Sequence, residues 1–303
     1  MLMHRRTFLS LAAAAAASPV LGANPALQGR IETLPKIGTG SGIEPRVRVW
    51  LPSRHAASDA LYRTLYMLDG QFAFADDSEG TNFSADRRVG RLMAAGTIKS
   101  TVIVAIDNLE EDRFLQYMPQ TIFDRADPDV RATIEREMVR VGATSLLSAE
   151  LVQFLAQSLK PYIDAHYRTS KDRLDTAIFG ASMAGVMAGS IFVEAQQAFG
   201  RGACMSPNWP IYDERMIDHA GLPSLWSDYF AQVGSPEGRR LWLDHGTEMM
   251  DAGMAPHQST IADSLEHLGW RRGCNLQTRV YEAGHAFAQT ASQMDDVLAW
   301  LLA

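Results

Sequence analysis

An α/β fold, with a mostly parallel central sheet and helices on both faces, is predicted by three features of this 303-residue chain. Short β-rich runs alternate with longer amphipathic ones from about residue 30 onward. The runs that read as strands are nearly continuous in apolar residues, as strands buried on both faces are. No internal repeat, low-complexity tract or Pro/Gly/Ser-rich linker breaks the alternation after residue 23, so one domain over residues 24–303 is expected.

In chain order, the strands are expected at Val47–Pro52, Thr64–Asp69, Thr101–Asp107, Thr176–Gly180, Ala203–Pro207, Leu241–Gly246 and Thr278–Gly284. Helical patterns fall at Ala85–Ala95, Ala149–Tyr167, Met183–Gln197, His257–Leu268 and Phe287–Leu302. In the second of these, Leu151, Leu155, Leu159 and Ile163 recur every fourth residue and define one buried face. Two stretches depart from plain alternation. Residues 120–146 are charged, with one apolar stripe at Val130, Ile134, Met138 and Val141; a lid and an extra packing helix are equally open readings. Residues 208–232 carry Trp209, Tyr212, Trp226, Tyr229 and Phe230, either as walls of a binding site or as core.

Composition excludes several function classes. With 47% hydrophobic residues the chain is not disordered, and two cysteines do not staple a fold of this length. The net charge of −7, with no basic cluster to offset it, argues against a nucleic-acid or anionic-membrane partner. Residues 1–23 stand apart: Arg5 and Arg6 precede Phe8-Leu9, an alanine run over 12–17 and small residues at Val20-Leu21-Gly22-Ala23. This pattern resembles a twin-arginine export signal, and its apolar run is short of the ~20 residues that span a bilayer. A periplasmic or secreted location without a stable membrane anchor is therefore expected. Cys204 and Cys274, beside predicted strands, are expected to be buried free thiols.

The sharpest local motif is Gly180-Ala181-Ser182-Met183-Ala184-Gly185, between an apolar strand and an Ala/Gly-rich helix. A tight strand-to-helix turn forces its serine outward and aims the new helix's N–H groups at whatever binds there. Ala184 stands where the G-x-S-x-G pattern has its last glycine, and is still small. A serine hydroxyl needs a base, and in such a chain order the acid and then the histidine follow the nucleophile. Of His257, His267 and His285, only His285 follows a strand and precedes a helix, with Gly284 and Ala286 leaving room around it. Asp244-His245-Gly246-Thr247-Glu248-Met249-Met250-Asp251 supplies the acid: Asp244 belongs to the strand and reads as structural, while Glu248 and Asp251 are equivalent by position. His245, Glu248, Asp251 and His257 match no established metal-ligand spacing.

Together these motifs resemble the putative-esterase branch of the α/β-hydrolase superfamily, which holds enterochelin esterases, S-formylglutathione hydrolases, feruloyl and acetyl-xylan esterases and mycolyltransferases. The resemblance runs from about Arg46 to the C-terminus. It is carried by Tyr66-Met67-Leu68-Asp69-Gly70-Gln71, by Ile106-Asp107-Asn108 with Arg113 and Gln116-Tyr117-Met118-Pro119, by Gly180–Gly185, by Ser206-Pro207 with Trp209, and by Gly284-His285. It implies an α/β-hydrolase fold, Asp251 as the acid with Glu248 in reserve, and an oxyanion hole from the backbone N–H groups of Met183 and Gln71. Asn108 and Trp209 become candidate substrate contacts.

The expected activity is that of an exported serine carboxylesterase, acting through Ser182, His285 and Asp251 on a small-molecule or polymer-borne ester. A siderophore ester hydrolase and an acyltransferase are the alternatives on the same scaffold. No cofactor or metal is expected: Gly38-Thr39-Gly40-Ser41-Gly42 lacks the dinucleotide-binding spacing, and there is no G-x-x-x-x-G-K-[ST].

Overall fold

The computed structural model describes residues 29–37, 42–53, 55, 60–77, 81–211 and 217–303. The export-signal reading of residues 1–23, Gly38–Ser41 of the glycine-rich run and Tyr212 lie outside the described residues.

Eight strands form one sheet: β1 (Gly29–Thr33), β2 (Val47–Pro52), β3 (Arg63–Leu68), β4 (Thr101–Ile106), β5 (Thr176–Ala181), β6 (Arg201–Met205), β7 (Arg240–Gly246) and β8 (Leu276–Tyr281). Their spatial order is β1-β2-β4-β3-β5-β6-β7-β8. β2 runs antiparallel to both β1 and β4, and every other pairing is parallel. This is the α/β-hydrolase arrangement: a mostly parallel sheet covered on both faces. β1, which the hydrophobic pattern does not reveal, is a polar edge strand, GRIET, with only Ile31 apolar. Its register on β2, from Gly29 opposite Pro52 to Thr33 opposite Arg48, is held by backbone hydrogen bonds, which need no apolar alternation.

The helices are α1 (Ala85–Ala94), α2 (Arg113–Tyr117), α3 (Gln120–Arg125), α4 (Pro128–Arg140), α5 (Ser148–Gln153), α6 (Lys160–His166), α7 (Met183–Glu194), α8 (Leu222–Phe230), α9 (Ala255–His267), α10 (Phe287–Ser292) and α11 (Met294–Leu301). A π-helical turn, Phe154–Leu159, joins α5 to α6, and Leu151, Leu155, Leu159 and Ile163 are all buried along that face. The pleat of β4 separates two cores. Val102, Val104 and Ile106 pack with α4, α7, α8 and α9, while Ile103 and Ala105 pack with Val89 of α1 and Met294, Val297, Leu298 and Leu301 of α11.

Residues 120–146 form packing helices. α4 starts at Asp127, whose carboxylate accepts from the Asp129 and Val130 amides, with Pro128 at the first helical position. Val130, Ile134 and Met138 enter the main core, whereas Val139 is exposed. The described aromatics of the 208–232 stretch are also core: Trp209, Trp226, Tyr229 and Phe230 are fully buried, and Trp209 lies 4.9 Å from Trp226 between ring centroids. Cys204 is buried as expected. Cys274 is not: it stands exposed in the polar turn before β8, and both thiols are free.

Strand β4 follows β3 on one side, and β5 returns to β3's other side. That reversal opens a crevice at the carboxyl ends of β3 and β5, the place where open α/β sheets bind ligands.

Candidate active site

The turn after β5 sets Ser182 at the floor of this crevice, with φ 58° and ψ −128°. A β-carbon on Gly180 would stand 2.0 Å from the Ala184 carbonyl oxygen, so the turn closes only around a glycine. Met183 opens α7, where the first amides have no intrahelical acceptor. Every residue of α7 from Met183 to Val193 is buried, so the helix below the serine is fixed by apolar packing on all sides.

Ser182 Oγ lies 2.7 Å from His285 Nε2, and His285 Nδ1 lies 2.6 Å from Asp251 Oδ1. The carboxylate can only accept, so Nδ1 carries the proton and Nε2 accepts from the serine hydroxyl. Asp251 is 1% exposed, and its other oxygen accepts from the Ser206 hydroxyl and, at 3.2 Å, from the Gly246 amide. Burial works to raise this carboxyl, but the hydrogen bonds from His285 and Ser206 outweigh it and hold Asp251 below the usual carboxylate range.

The loops carrying Asp251 and His285 touch directly. A β-carbon on Gly246 would meet the Ala283 carbonyl oxygen at 2.0 Å, and the Glu248 amide donates to that same carbonyl at 3.0 Å. Asp251 thus sits in a short 3-10 helix, Met249–Met254, that turns back under His285. Glu248, the alternative acid by position, is exposed at the start of that helix and contributes its backbone rather than its carboxylate.

The other wall follows β3. Asp69 adopts a left-handed φ of 53°, and Gly70 lies so close to Ile106 that a β-carbon would meet its nitrogen at 2.5 Å. Four groups hold the Asp69-Gly70-Gln71 turn. The Asp69 amide donates to Tyr117 Oη at 3.0 Å, and Arg113 grips the Asp69 carboxylate through Nε at 2.9 Å and Nη2 at 2.7 Å. Asn108 Nδ2 donates to Asp69 Oδ1 at 2.7 Å, and Arg48 Nη2 donates to the Gly70 carbonyl at 2.6 Å. Burial opposes the Arg113 charge, but Asp69 more than compensates and raises it above the ordinary arginine value.

Between these walls is a cavity of about 410 Å³ lined by Ser182, His285, Gln71, Asn108, Asp69 and Arg113, with Phe72, Phe83 and Phe287 on its apolar side. Phe287 lies 4.7 Å from Phe83 and 6.0 Å from Phe72, measured between ring centroids. Asn108 therefore lines the cavity, as the sequence suggests. Trp209 does not: its ring is fully buried against Trp226 and Phe230. This corrects its assignment as a substrate wall. Phe72 and Phe83 belong to the connection between β3 and α1, and Phe287 opens α10; they share no sequence spacing, and nothing in the sequence singles them out. Ser206 was visible only as part of a Ser-Pro-aromatic segment. Among the described residues, no three His, Cys, Asp or Glu side chains gather in a way that would hold a metal.

Residues 39–301 match the family model described as Putative esterase. Among curated proteins, none matches this chain. The fold is similar to that of an IroE-like serine hydrolase from Shewanella oneidensis, with TM-score 0.63 and 16% identity over 91% of this chain and 80% of that one. It is similar to a ferulic acid esterase, with TM-score 0.61 and 17% identity over 91% of this chain and 98% of that one. The enterobactin esterase FES from Shigella flexneri superposes with TM-score 0.59 and 15% identity, over 90% of this chain and 58% of that one. Identities this low speak for the fold, whereas the family match extends over most of the chain. This protein belongs to the Putative esterase family and is a carboxylic ester hydrolase of α/β-hydrolase fold.

Proposed function

We propose that the protein is an exported serine carboxylesterase in which Ser182 is the nucleophile, His285 the general base and Asp251 the group that orients it. The observation carrying this reading is the unbroken line from Ser182 Oγ through His285 to Asp251, with contacts of 2.7 and 2.6 Å at the mouth of a cavity. As Oγ attacks the ester carbonyl, its proton passes to His285 Nε2 and the carbonyl oxygen becomes an oxyanion. The donors assigned to that charge are the backbone amides of Met183, the residue after Ser182 at the start of α7, and of Gln71, in the turn after β3. Each such donor is worth about 3 kcal/mol of barrier. His285 then gives its proton to the departing alkoxide, leaving an acyl-enzyme. Water, deprotonated by His285, attacks the acyl carbon; the acid leaves and Ser182 regains its proton.

The phenylalanine wall favours a flat, apolar acyl group, and the Arg113–Asp69 pair opposite it favours polar substituents that accept or donate hydrogen bonds. A ferulic acid esterase and an enterobactin esterase are among the structural neighbours, so a feruloyl ester and enterobactin belong in the substrate panel beside p-nitrophenyl esters. Export rests on the Arg5-Arg6 segment, and no described helix is long and apolar enough to cross a membrane; fractionation of cells expressing the full chain, with and without Arg5→Lys/Arg6→Lys, tests it. Ser182→Ala tests the chemistry. Turnover of p-nitrophenyl acetate should fall by about 10⁴-fold or more with the thermal melt unchanged, and fluorophosphonate labelling should vanish. Retained turnover would sink the reading.

A further inference from the structure

The nucleophile and Asp251 both lean on consecutive residues at the end of β6. The Met205 carbonyl accepts from the Ser182 amide at 2.9 Å. The Ser206 hydroxyl donates to Asp251 Oδ2 and lies 3.4 Å from His285 Nδ1. Ser206 holds this position with a left-handed φ of 40°, a backbone state that residues other than glycine adopt only when something holds them there.

What holds it is Asp244. This β7 carboxyl is fully buried, and both of its oxygens are engaged: Oδ1 accepts from the Ser206 amide at 2.7 Å and Oδ2 from the Trp242 indole N–H at 2.6 Å. Trp242 stands two residues earlier on the same strand, so its ring shares the face of Asp244. Neither donor can accept, so the site requires an acceptor at each oxygen. Burial pushes this carboxyl up to about 7 against the pull of the two N–H groups. A carboxyl is costly to place at the bottom of a core, and this one spends an oxygen on a hydrogen bond across to Ser206, outside its own strand. The remaining titratable neighbours of Asp251 are His285 and, from β7, His245 and Asp244 itself.

We propose that Ser206, clamped by Asp244, is a positioning residue that fixes the Asp251 carboxylate against His285. The proposal rests on the assignment of Ser182, His285 and Asp251 as the reacting set. Without the Ser206 hydroxyl, Asp251 Oδ2 keeps only the Gly246 amide at 3.2 Å. The carboxylate is then free to turn, and His285 loses its fixed orientation toward Ser182.

Ser206→Gly is the decisive variant, because glycine accepts the left-handed φ while lacking the hydroxyl. It should fold, with a melt lowered only modestly, lose about 10- to 100-fold in kcat for p-nitrophenyl acetate and keep KM within about twofold, the pattern of a lost transition-state interaction. The acid limb of its kcat/KM profile should move from the parent's, because the carboxylate that faces His285 has lost one of its donors. Asp244→Asn should reproduce these kinetics, and the double variant should be no slower than the worse single one. A Ser206→Gly enzyme with full kcat and an unmoved acid limb overturns the proposal, and this variant decides the matter alone if Asp244→Asn does not fold. Ser182→Ala, assayed alongside, separates the two levels. If it is active, the reacting set itself is wrong; if it is inactive while Ser206→Gly is fully active, only the positioning role fails.

Discussion

The Ser182 amide donates to the Met205 carbonyl at 2.9 Å, fastening the turn after β5 to the last residue of β6. The proposed nucleophile is thus tied to the neighbouring strand through its own backbone, and the unusual φ at Ser182 is held from outside the turn as well as within it.

Asp251 and Glu248 separate cleanly in space, and their variants should separate as cleanly in rate. Asp251→Asn leaves His285 Nδ1 facing an amide and should cost about 10³- to 10⁴-fold in kcat. Glu248→Gln, at an exposed carboxylate, should stay within about twofold of the parent. Steady-state kinetics with p-nitrophenyl acetate checks both, and a reversed ranking would reassign the acid.

Gly180 and Ala184 are not equivalent partners in the turn. Gly180→Ala places a β-carbon against the Ala184 backbone oxygen, which cannot swing aside as a side chain can, and should cost several kcal/mol or prevent folding. Ala184→Gly should cost only about 1 kcal/mol, the ordinary price of glycine within a helix. Urea titrations of the two variants give the comparison.

Phe287 shapes the apolar side of the cavity while remaining partly exposed, so it can be shortened without emptying the core. Phe287→Ala should raise KM for an aryl-acyl ester such as a feruloyl ester by about 10-fold, while p-nitrophenyl acetate, which does not reach the ring, changes little. An equal effect on both esters would place the acyl group elsewhere.

His257 of α9 is buried, and burial lowers it from its ordinary value to about 4. The folded protein therefore binds fewer protons here than the unfolded chain. The resulting stability is complete above pH 6.5 and declines as the pH falls toward 4, by up to about 3 kcal/mol. Asp244 acts in the opposite sense. Its carboxyl, raised to about 7, favours the folded state progressively as pH drops from 7 toward 4. The net acid sensitivity is thus muted in the parent. His257→Leu should remove the destabilising half, so that its melting temperature, compared with the parent's, gains between pH 6.5 and 4. A parallel pair of curves would show that His257 does not titrate as described.

The parallel strands are legible in the sequence because burial on both faces leaves continuous apolar runs, as in Val102–Ile106. β1 is not, since an edge strand fixed by backbone bonds alone carries no such mark. The turn at Ser182 is legible because its tightness demands small residues at fixed offsets. His285 is legible because only one histidine falls between a strand and a helix in the right order. Choosing Asp251 over Glu248 depends on how a 3-10 helix turns back on itself, which spacing does not encode. Trp209 misleads for a related reason: an aromatic side chain suits a cavity wall and a core equally, and here α8 brings Trp226 and Phe230 over it. The Phe72, Phe83 and Phe287 wall joins the segment between β3 and α1 to the start of α10, much later in the chain, so no local pattern announces it.

Cys274 occupies the turn leading into β8, at the amino end of the strands, whereas Ser182 and its crevice lie at the carboxyl ends. Cys204, the only other thiol, is sealed in the core, and burial pushes its ionisation upward. A maleimide should therefore react at a single place, on the side of the molecule facing away from the substrate. A fluorophore or a solid support attached there would leave the crevice open, giving the protein a ready-made handle for single-molecule work or oriented immobilisation without added cysteines.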